Sequence, residues 1–563
     1  MIDSLPPGLI LLVGGLLLPL VPRILRAPYL LALPVLGLLH MIALPADASL
    51  SLEVFGVTLE LLRVDKLALL FGYVFHLAAF LGLIYALGVK DTGQQVAALT
   101  YAGSAIAALF AGDLLTLFVF WELTAFTSVF LIWARRTERS YRAGMRYLLF
   151  QVGSGVALIA GVALYYRATG SIAFDHIGTE SLGGWLIFLA FGIKCAFPLL
   201  HGWLHDAYPE ATITGTVFLS AFTTKLAIYA LARGFAGTES MIWIGAVMAA
   251  FPIFYAVIEN DLRKVLAYST NNQLGFMVVG IGIGTELALN GAVAHAFAHV
   301  LFKALLFMSM GAVLLRAGTV NGSQLGGLYK SMPWTTVLCI VGAASISAFP
   351  LFSGFVSKSL INSATADNGY VWVWFVLLFA SAGVFHHSGI KIPYFAFFAH
   401  DSGLRVPEAP PHMLVAMTLA AVACIAVGVF PDAFYRLLPF ATDYAPYTAT
   451  HVVAQLQLLL FSALAFAVLV RTGIYPPELR ATNLDVEWLY RRLAPRALAR
   501  LFSAGGAVWG AATGAGARVG RGALALIYRR YGPEGRLAGD WPTGSMALWV
   551  ATLLVVALVL HYL

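Results

Sequence analysis

The sequence predicts an all-α polytopic membrane protein, and three observations carry that reading. The 563 residues are 60% hydrophobic and only 11% charged, against roughly a quarter charged in a soluble chain. Mean hydropathy is +0.85, and stretches of the about 20 apolar residues that cross the hydrocarbon recur along almost the whole length. Basic residues also gather in alternate loops, as membrane topology demands. No room remains for a sizeable soluble domain.

Sixteen spans are expected, at 8–25, 28–45, 65–88, 94–111, 113–133, 142–167, 182–200, 214–235, 240–259, 265–283, 286–316, 334–364, 370–399, 412–431, 451–472 and 543–562. The first run, Gly8 to Val21, lacks a basic leader and a small-residue cleavage site, so it is read as a span rather than a cleaved signal. Between the second and third spans, Ser51 to Glu60 alternates like a short β-hairpin around Gly56. Cys195, Cys339 and Cys424 lie far apart in apolar stretches and read as small core residues, with no metal or disulfide framework implied.

With the N-terminus outside, the inner loops hold Arg23 and Arg26, Arg135 to Arg146, Asp261 to Lys264 and Arg316 to Lys330. The outer loops hold Glu53, Glu60, Asp175, Glu180, Glu239, Asp432 and Asp443. That asymmetry places both termini in the periplasm of a bacterial inner membrane. Residues 473–541 carry ten arginines and five acids, a net +5 of the chain's +7. Their mixture with Leu, Ala, Gly and Trp509 suits an amphipathic helix on the inner membrane surface. The basic balance therefore reflects topology, and no nucleic-acid-binding module is evident.

Several ionisable groups fall at bilayer depth, where each costs about 2.5–3.5 kcal/mol on the lenient insertion scale and is a functional candidate by default. They are Glu122, Lys194, Lys225, His295, His299, Lys303, Lys358, His386, His387 and Lys391. His295, His299 and Lys303, at successive i+4 steps, line one helical stripe. For Lys303 and Lys391 a packing or snorkelling role is as good a reading as a functional one. Taken together, however, the basic groups exceed what one carboxylate can neutralise. Desolvation and like-charge neighbours both favour a neutral lysine, so such a row can exchange protons, with Glu122 modulating the lysine it pairs with.

Ala196-Phe-Pro198 and Ala348-Phe-Pro350 each interrupt a span beside a buried lysine. Broken membrane helices line pathways because freed backbone groups need protein or cavity water. The recurrence suggests two five-span repeats, 94–235 and 240–399, inverted because five is odd. Lys194 precedes its motif and Lys358 follows the other, so the lysines are out of register. Residues 1–93 then form N-terminal helices and the hairpin, 400–472 the remaining core helices, 473–541 the basic lateral segment and 542–563 the final span.

The motifs resemble the antiporter-like proton-translocating subunits, which include complex I membrane-arm subunits and the large subunits of Mrp cation/proton antiporters. The likeness rests on Gly112 to Leu123, Lys194 to Ala211, Thr224 to Arg233, Asp261 to Gly275, His295 to Phe307 and Ser345 to Lys358. Leu484-Asp485-Val-Glu487-Trp488 is similar to the tail of the D-type large subunit of Mrp antiporters. The resemblance implies a fourteen-helix core with inverted five-helix repeats, here with two further C-terminal membrane helices flanking the lateral segment. It also implies roles in proton transfer: Glu122 and Lys194 as a pair, Lys225 as a bridge, His299 as central relay and Lys358 as terminal lysine. His295, Lys303, His386, His387 and Lys391 form a secondary path, with Pro198 and Pro350 at the helix breaks.

No nucleotide loop, cofactor motif or metal-cluster spacing is present in the sequence, so the chain reads as an ion-transport subunit rather than an enzyme. Its partners are other membrane subunits, the lipid bilayer, protons and Na+ or another cation. Three alternatives stand: the membrane arm of a complex I-like or hydrogenase redox complex, a proton-coupled subunit of inorganic-carbon uptake beside a zinc protein, and a scaffold whose charges only pair.

Overall fold

The structure is a computed structural model and describes residues 5–45, 48–54, 56–479, 481, 483–535, 539 and 542–563. It divides into two units, residues 1–485 and 486–563.

In the first unit, α1 (Gly8–Leu17) and α2 (Arg26–Ala43) precede a hairpin of β1 (Ser49–Val54) and β2 (Val57–Arg63). The strands pair antiparallel, Val54 opposite Val57, and Gly56 turns between them at a φ of 77°. That left-handed conformation suits glycine, and the predicted hairpin is present. Helices α3 (Lys66–Tyr85), α4 (Thr92–Leu109), α5 (Leu114–Trp133), α6 (Glu138–Thr169) and α7 (Leu182–Lys194) follow. The chain then breaks and continues as α8 (Gly202–Ala207), α9 (Ile213–Ala221) and α10 (Thr223–Gly234).

A second series runs α11 (Ser240–Ile258), α12 (Leu262–Ile283), α13 (Glu286–Ala317), α14 (Pro333–Ile346) and α15 (Ser353–Asp367). It ends on α16 (Val371–Val384), whose continuation is π-helical at Phe385–Ile390 and Tyr394–Phe398 around α17 (Lys391–Pro393). Such π-helical stretches cluster at functional sites. Helices α18 (Pro411–Val429), α19 (Pro431–Tyr435) and α20 (Ala449–Arg471) complete the unit.

The two series echo each other residue by residue. Asp113 caps α5 and bridges to Ala173, while Asp261 caps α12 and bridges to Asn321 at the same sequence separation. The third helix of each series, α6 and α13, has 32 residues and ends on a left-handed glycine, Gly170 or Gly318. In both breaks the alanine of Ala-Phe-Pro and the leucine after it take positive φ: Ala196 and Leu199, Ala348 and Leu351. Each such residue costs about 1–3 kcal/mol and persists only where its surroundings hold it. Counting helices, the chain enters α4 from the face bearing Arg135 and Arg263 and enters α11 from the opposite face, so the two series are antiparallel.

Contacts fix those faces. Arg135 binds Glu210 and the Pro209 carbonyl, Arg146 binds Asp206, and the buried Arg263 donates to the carbonyls of Tyr208, Pro209 and Ala211. At the other end Arg63 pairs with Asp175 and Arg233 with Asp65.

Among the described residues eleven helices are long and apolar enough to cross a membrane, and three more apolar helices are shorter. The sixteen expected spans thus include α4 and α12, which meet neither description. The polarity of α12 comes from Ser269-Thr-Asn-Asn-Gln273, all fully buried. Gly245 and Gly275 let α11 and α12 approach so closely that a Cβ on Gly275 would lie 2.4 Å from the Ala249 nitrogen, the small-residue packing membrane helices use.

In the second unit, a π-helical turn at Leu489–Leu493 leads into α21 (Ala494–Tyr531), one continuous 38-residue helix, and α22 (Thr543–Tyr562) is the last membrane-length helix.

Candidate functional site

The breaks and the polar middle of α12 bring the ionisable side chains inside the first unit. Lys194 ends α7, and its Nζ donates to the Trp121 carbonyl at 2.5 Å and to Thr124 Oγ1 at 3.0 Å, lying 4.4 Å above the Trp121 ring. Glu122 is next to Trp121 on α5, and its buried Oε1 has no hydrogen-bond partner among the described residues. The expected pair is therefore neighbouring but open. Room for the carboxylate comes from Gly155 on α6, where an added Cβ would lie 1.7 Å from Glu122 Oε1.

Lys225 sits just past a discontinuity the sequence does not announce. The expected span 214–235 is split at Phe222, where no proline occurs. Lys225 Nζ takes the freed Ser220 carbonyl at 2.6 Å and Thr224 Oγ1 at 3.1 Å. Lys358 uses the same device at the second proline break, donating to the Ile346 carbonyl at 2.9 Å beside the Phe276 ring. Each buried lysine thus rests on carbonyl and hydroxyl dipoles in place of a carboxylate.

Between them, α13 presents its stripe to α12. His295 bridges Ser357 Oγ at 3.0 Å and Gln273 Oε1 at 3.2 Å, and Lys303 reaches Ser269 Oγ at 2.9 Å. Both ring nitrogens of His299 lack a hydrogen-bond partner among the described residues. A buried unsatisfied polar group costs about 1–3 kcal/mol, so His299 is placed for an exchangeable partner such as water. No hydrogen bond joins Lys194 to Lys225 among the described residues.

The π-helical end of α16 extends the row. His387 Nδ1 meets Ser388 Oγ at 2.9 Å, and Ser388 donates to Ser269 Oγ at 2.8 Å, which leads to Lys303. Lys391 is held by the carbonyls of Ala256, Val257 and Glu259 and by Glu478 Oε1 at 2.9 Å. The packing-pair reading of Lys391 therefore has a physical basis here. His386 is half-buried between Phe466 and Tyr475.

Glu478 is a carboxylate that sequence reasoning missed. It belongs to an extended segment after α20 whose side chains reach back over the face bearing Arg263: Glu478 to Lys391, Asn483 to Glu259 and Asp485 to His201 and Tyr268. An open cleft of about 430 Å³, lined by His400, Tyr475 and Glu478 among others, leads to the Lys391 pair. Burial raises the Glu478 carboxyl above the usual carboxylate range, and Lys391 opposes that shift. The side chains that could hold a metal among the described residues are His201, His205 and Asp485.

The family described as NADH:quinone oxidoreductase/Mrp antiporter, transmembrane, matches residues 111–385. Hydrogenase-4 component B of Escherichia coli is 28% identical over 65% of this chain and 62% of its own length. The D component of the Na(+)/H(+) antiporter of Alkalihalophilus pseudofirmus is 31% identical over 52% of this chain and 63% of its own length. Across that region the chain is similar to the antiporter-like subunit superfamily. A chain of an archaeal respiratory membrane complex, the membrane-bound sulfane sulfur reductase, shares the fold at a TM-score of 0.71 and 22% identity, covering 99% of this chain and 100% of that one. This antiporter-like chain spans less than two thirds of the length of those two curated relatives. The family match contains Glu122 through Lys358, whereas His386, His387, Lys391 and the segment bearing Glu478 lie beyond it.

Proposed function

We propose that the chain is a proton-translocating subunit of a multi-subunit membrane complex of the cation/proton antiporter type, coupled to Na+ or another cation. The observation that supports this most is the row of buried lysines, Lys194, Lys225, Lys303 and Lys358, resting on hydroxyls and carbonyls instead of carboxylates, with His299 buried among them. A lysine so held can take and release a proton without breaking an ion pair, and hydroxyls and water can bridge the gaps.

In this reading Glu122 approaches or leaves Lys194 to set its proton affinity, Lys225 and His299 relay, and Lys358 delivers the proton at the far side. Glu478 loads Lys391 from the cleft, and His387, Ser388 and Ser269 carry the proton to Lys303. The face bearing Arg135, Arg263 and Lys264 is cytoplasmic by the positive-inside rule, with both termini periplasmic in a bacterial inner membrane. The α21 helix lies on the cytoplasmic membrane surface. Proton flux from the intact complex in proteoliposomes, driven by an imposed cation gradient, tests the proposal. Wild-type flux after combined loss of Lys225 and Lys358 would overturn it.

A second reading, the membrane arm of a redox complex, draws support from the likeness to hydrogenase-4 component B. Co-purification with a redox subunit and absence of cation-driven flux would favour it.

A further inference from the structure

The break after α7 and the segment after α20 meet at a cluster that the proton row does not use. His201 and His205 stand at i and i+4 around the short helix α8, an arrangement that turns both imidazoles to one side. Asp485, 284 residues downstream of His201, enters between them. His201 Nε2 lies 3.2 Å from Asp485 Oδ1, and His205 Nδ1 lies 3.6 Å from Asp485 Oδ2. One ligand atom from each of the three side chains falls within 4.8 Å of the others. A tetrahedral zinc with bonds of about 2.0–2.1 Å spaces its ligand atoms about 3.3 Å apart, so small rotations would bring the three donors onto one ion.

The site is buried and its rings are packed. His201 and His205 are 4% and 2% exposed. The His205 ring stacks on Tyr268 at 3.8 Å, Tyr268 stacks in turn on Tyr255, and His201 packs on Phe251 at 4.6 Å. Tyr268 Oη donates to Asp485 Oδ2 at 2.9 Å, the outer support that orients a ligating carboxylate. Asp206, beside His205, is anchored by Arg146, and the nearby Lys264 is neutralised by Glu259 at 3.1 Å. Both ring nitrogens of His205 and Nδ1 of His201 find no hydrogen-bond partner among the described residues. A latch built only from hydrogen bonds would leave that imidazole buried and unsatisfied, at about 1–3 kcal/mol. A metal ion would use its lone pair.

We propose that His201, His205 and Asp485 form a binding site for a divalent transition metal of the zinc class. Two imidazoles and one carboxylate are the ligand set of many zinc sites, with a fourth position open to water. The ion would tie the segment after α20 to the chain just past the Pro198 break, which makes it a clamp on that break.

Purified intact complex carrying a non-histidine affinity tag tests this. After chelator treatment it is titrated with Zn2+ alone, with stoichiometry read by elemental analysis, and with Co2+ alone, read by its visible absorption. The expected result is one tight equivalent per chain and an intense tetrahedral Co2+ spectrum. Both should be lost in His205→Ala and Asp485→Asn, and affinity should fall about 10–100-fold in Tyr268→Phe, as for other outer-sphere partners. His205→Gln, which keeps bulk and polarity, guards against misfolding and should lose the Co2+ spectrum while melting like wild type. Unchanged zinc stoichiometry in both His205 variants, or no equivalent above background in wild type, would overturn the site. Neither readout depends on proton flux, so this test stands apart from the proposed transport role.

Discussion

The two helix series solve the same problem with different sources of negative charge. Both break a helix at Ala-Phe-Pro with the same pair of left-handed residues, and both place a buried lysine beside the break, Lys194 against the Trp121 carbonyl of α5 and Lys358 against the Ile346 carbonyl that ends α14. In the first series the carboxylate, Glu122, is built into a neighbouring helix and stands apart from Lys194. In the second, no carboxylate lies near Lys358 in sequence, and the acid serving that half, Glu478, arrives on a segment from beyond α20 and grips Lys391. The difference teaches that the fold repeats while control of charge does not. One half holds its carboxylate on its own helices, and the other meets one on a segment from beyond α20.

That contrast can be broken at its most exposed point. Lys358→Ala should abolish proton flux while assembly survives, because Lys358 is the amine placed against the backbone of the second break. Normal flux per assembled complex would remove Lys358 from the relay. Glu122→Gln should cut flux by about tenfold or more, a change of about 1.4 kcal/mol, since the charge beside Lys194 is lost. Glu122→Asp should keep partial activity. If Glu122 only anchors the fold, Gln will lower expression yet leave normal flux in whatever assembles.

Glu478→Gln sharpens the comparison further. Three backbone carbonyls continue to hold Lys391, so flux should fall only several-fold (about 1 kcal/mol on the same scale). The loss should be greatest at alkaline cytoplasmic pH, because a carboxyl raised by burial still carries protons where an ordinary one does not. A loss as deep as that of Glu122→Gln would mean that the halves are controlled alike. The smallest effect is expected of Gly155→Ala, whose methyl would displace the Glu122 carboxylate from its niche. Flux should then change about twofold with its pH profile shifted. An unmoved profile would mean the position of Glu122 is irrelevant.

Much of this was legible in the sequence because the governing signals are local. Apolar length marked the helices, alternation marked the hairpin, and proline marked the breaks at Pro198 and Pro350. Burial of Lys194, Lys225, His299 and Lys358 followed from their place within apolar runs. The break at Phe222 was not legible, since no proline or glycine announces it, and neither were the π-helical turns around Lys391. The polar run in α12 still looked like an ordinary span until its neighbours showed what it contacts. Glu478 and Asp485 were hidden for another reason. They act on residues far away in the chain, and no periodicity encodes a contact across 284 positions.

The most direct measurement is proton flux per assembled complex for Lys358→Arg in proteoliposomes, beside wild type. Arginine keeps the positive charge, and a guanidinium does not release its proton. The account predicts an assembled, correctly folded complex with no proton flux. Flux at the wild-type rate would show that only the charge at position 358 matters, and would contradict a relay through the buried lysines.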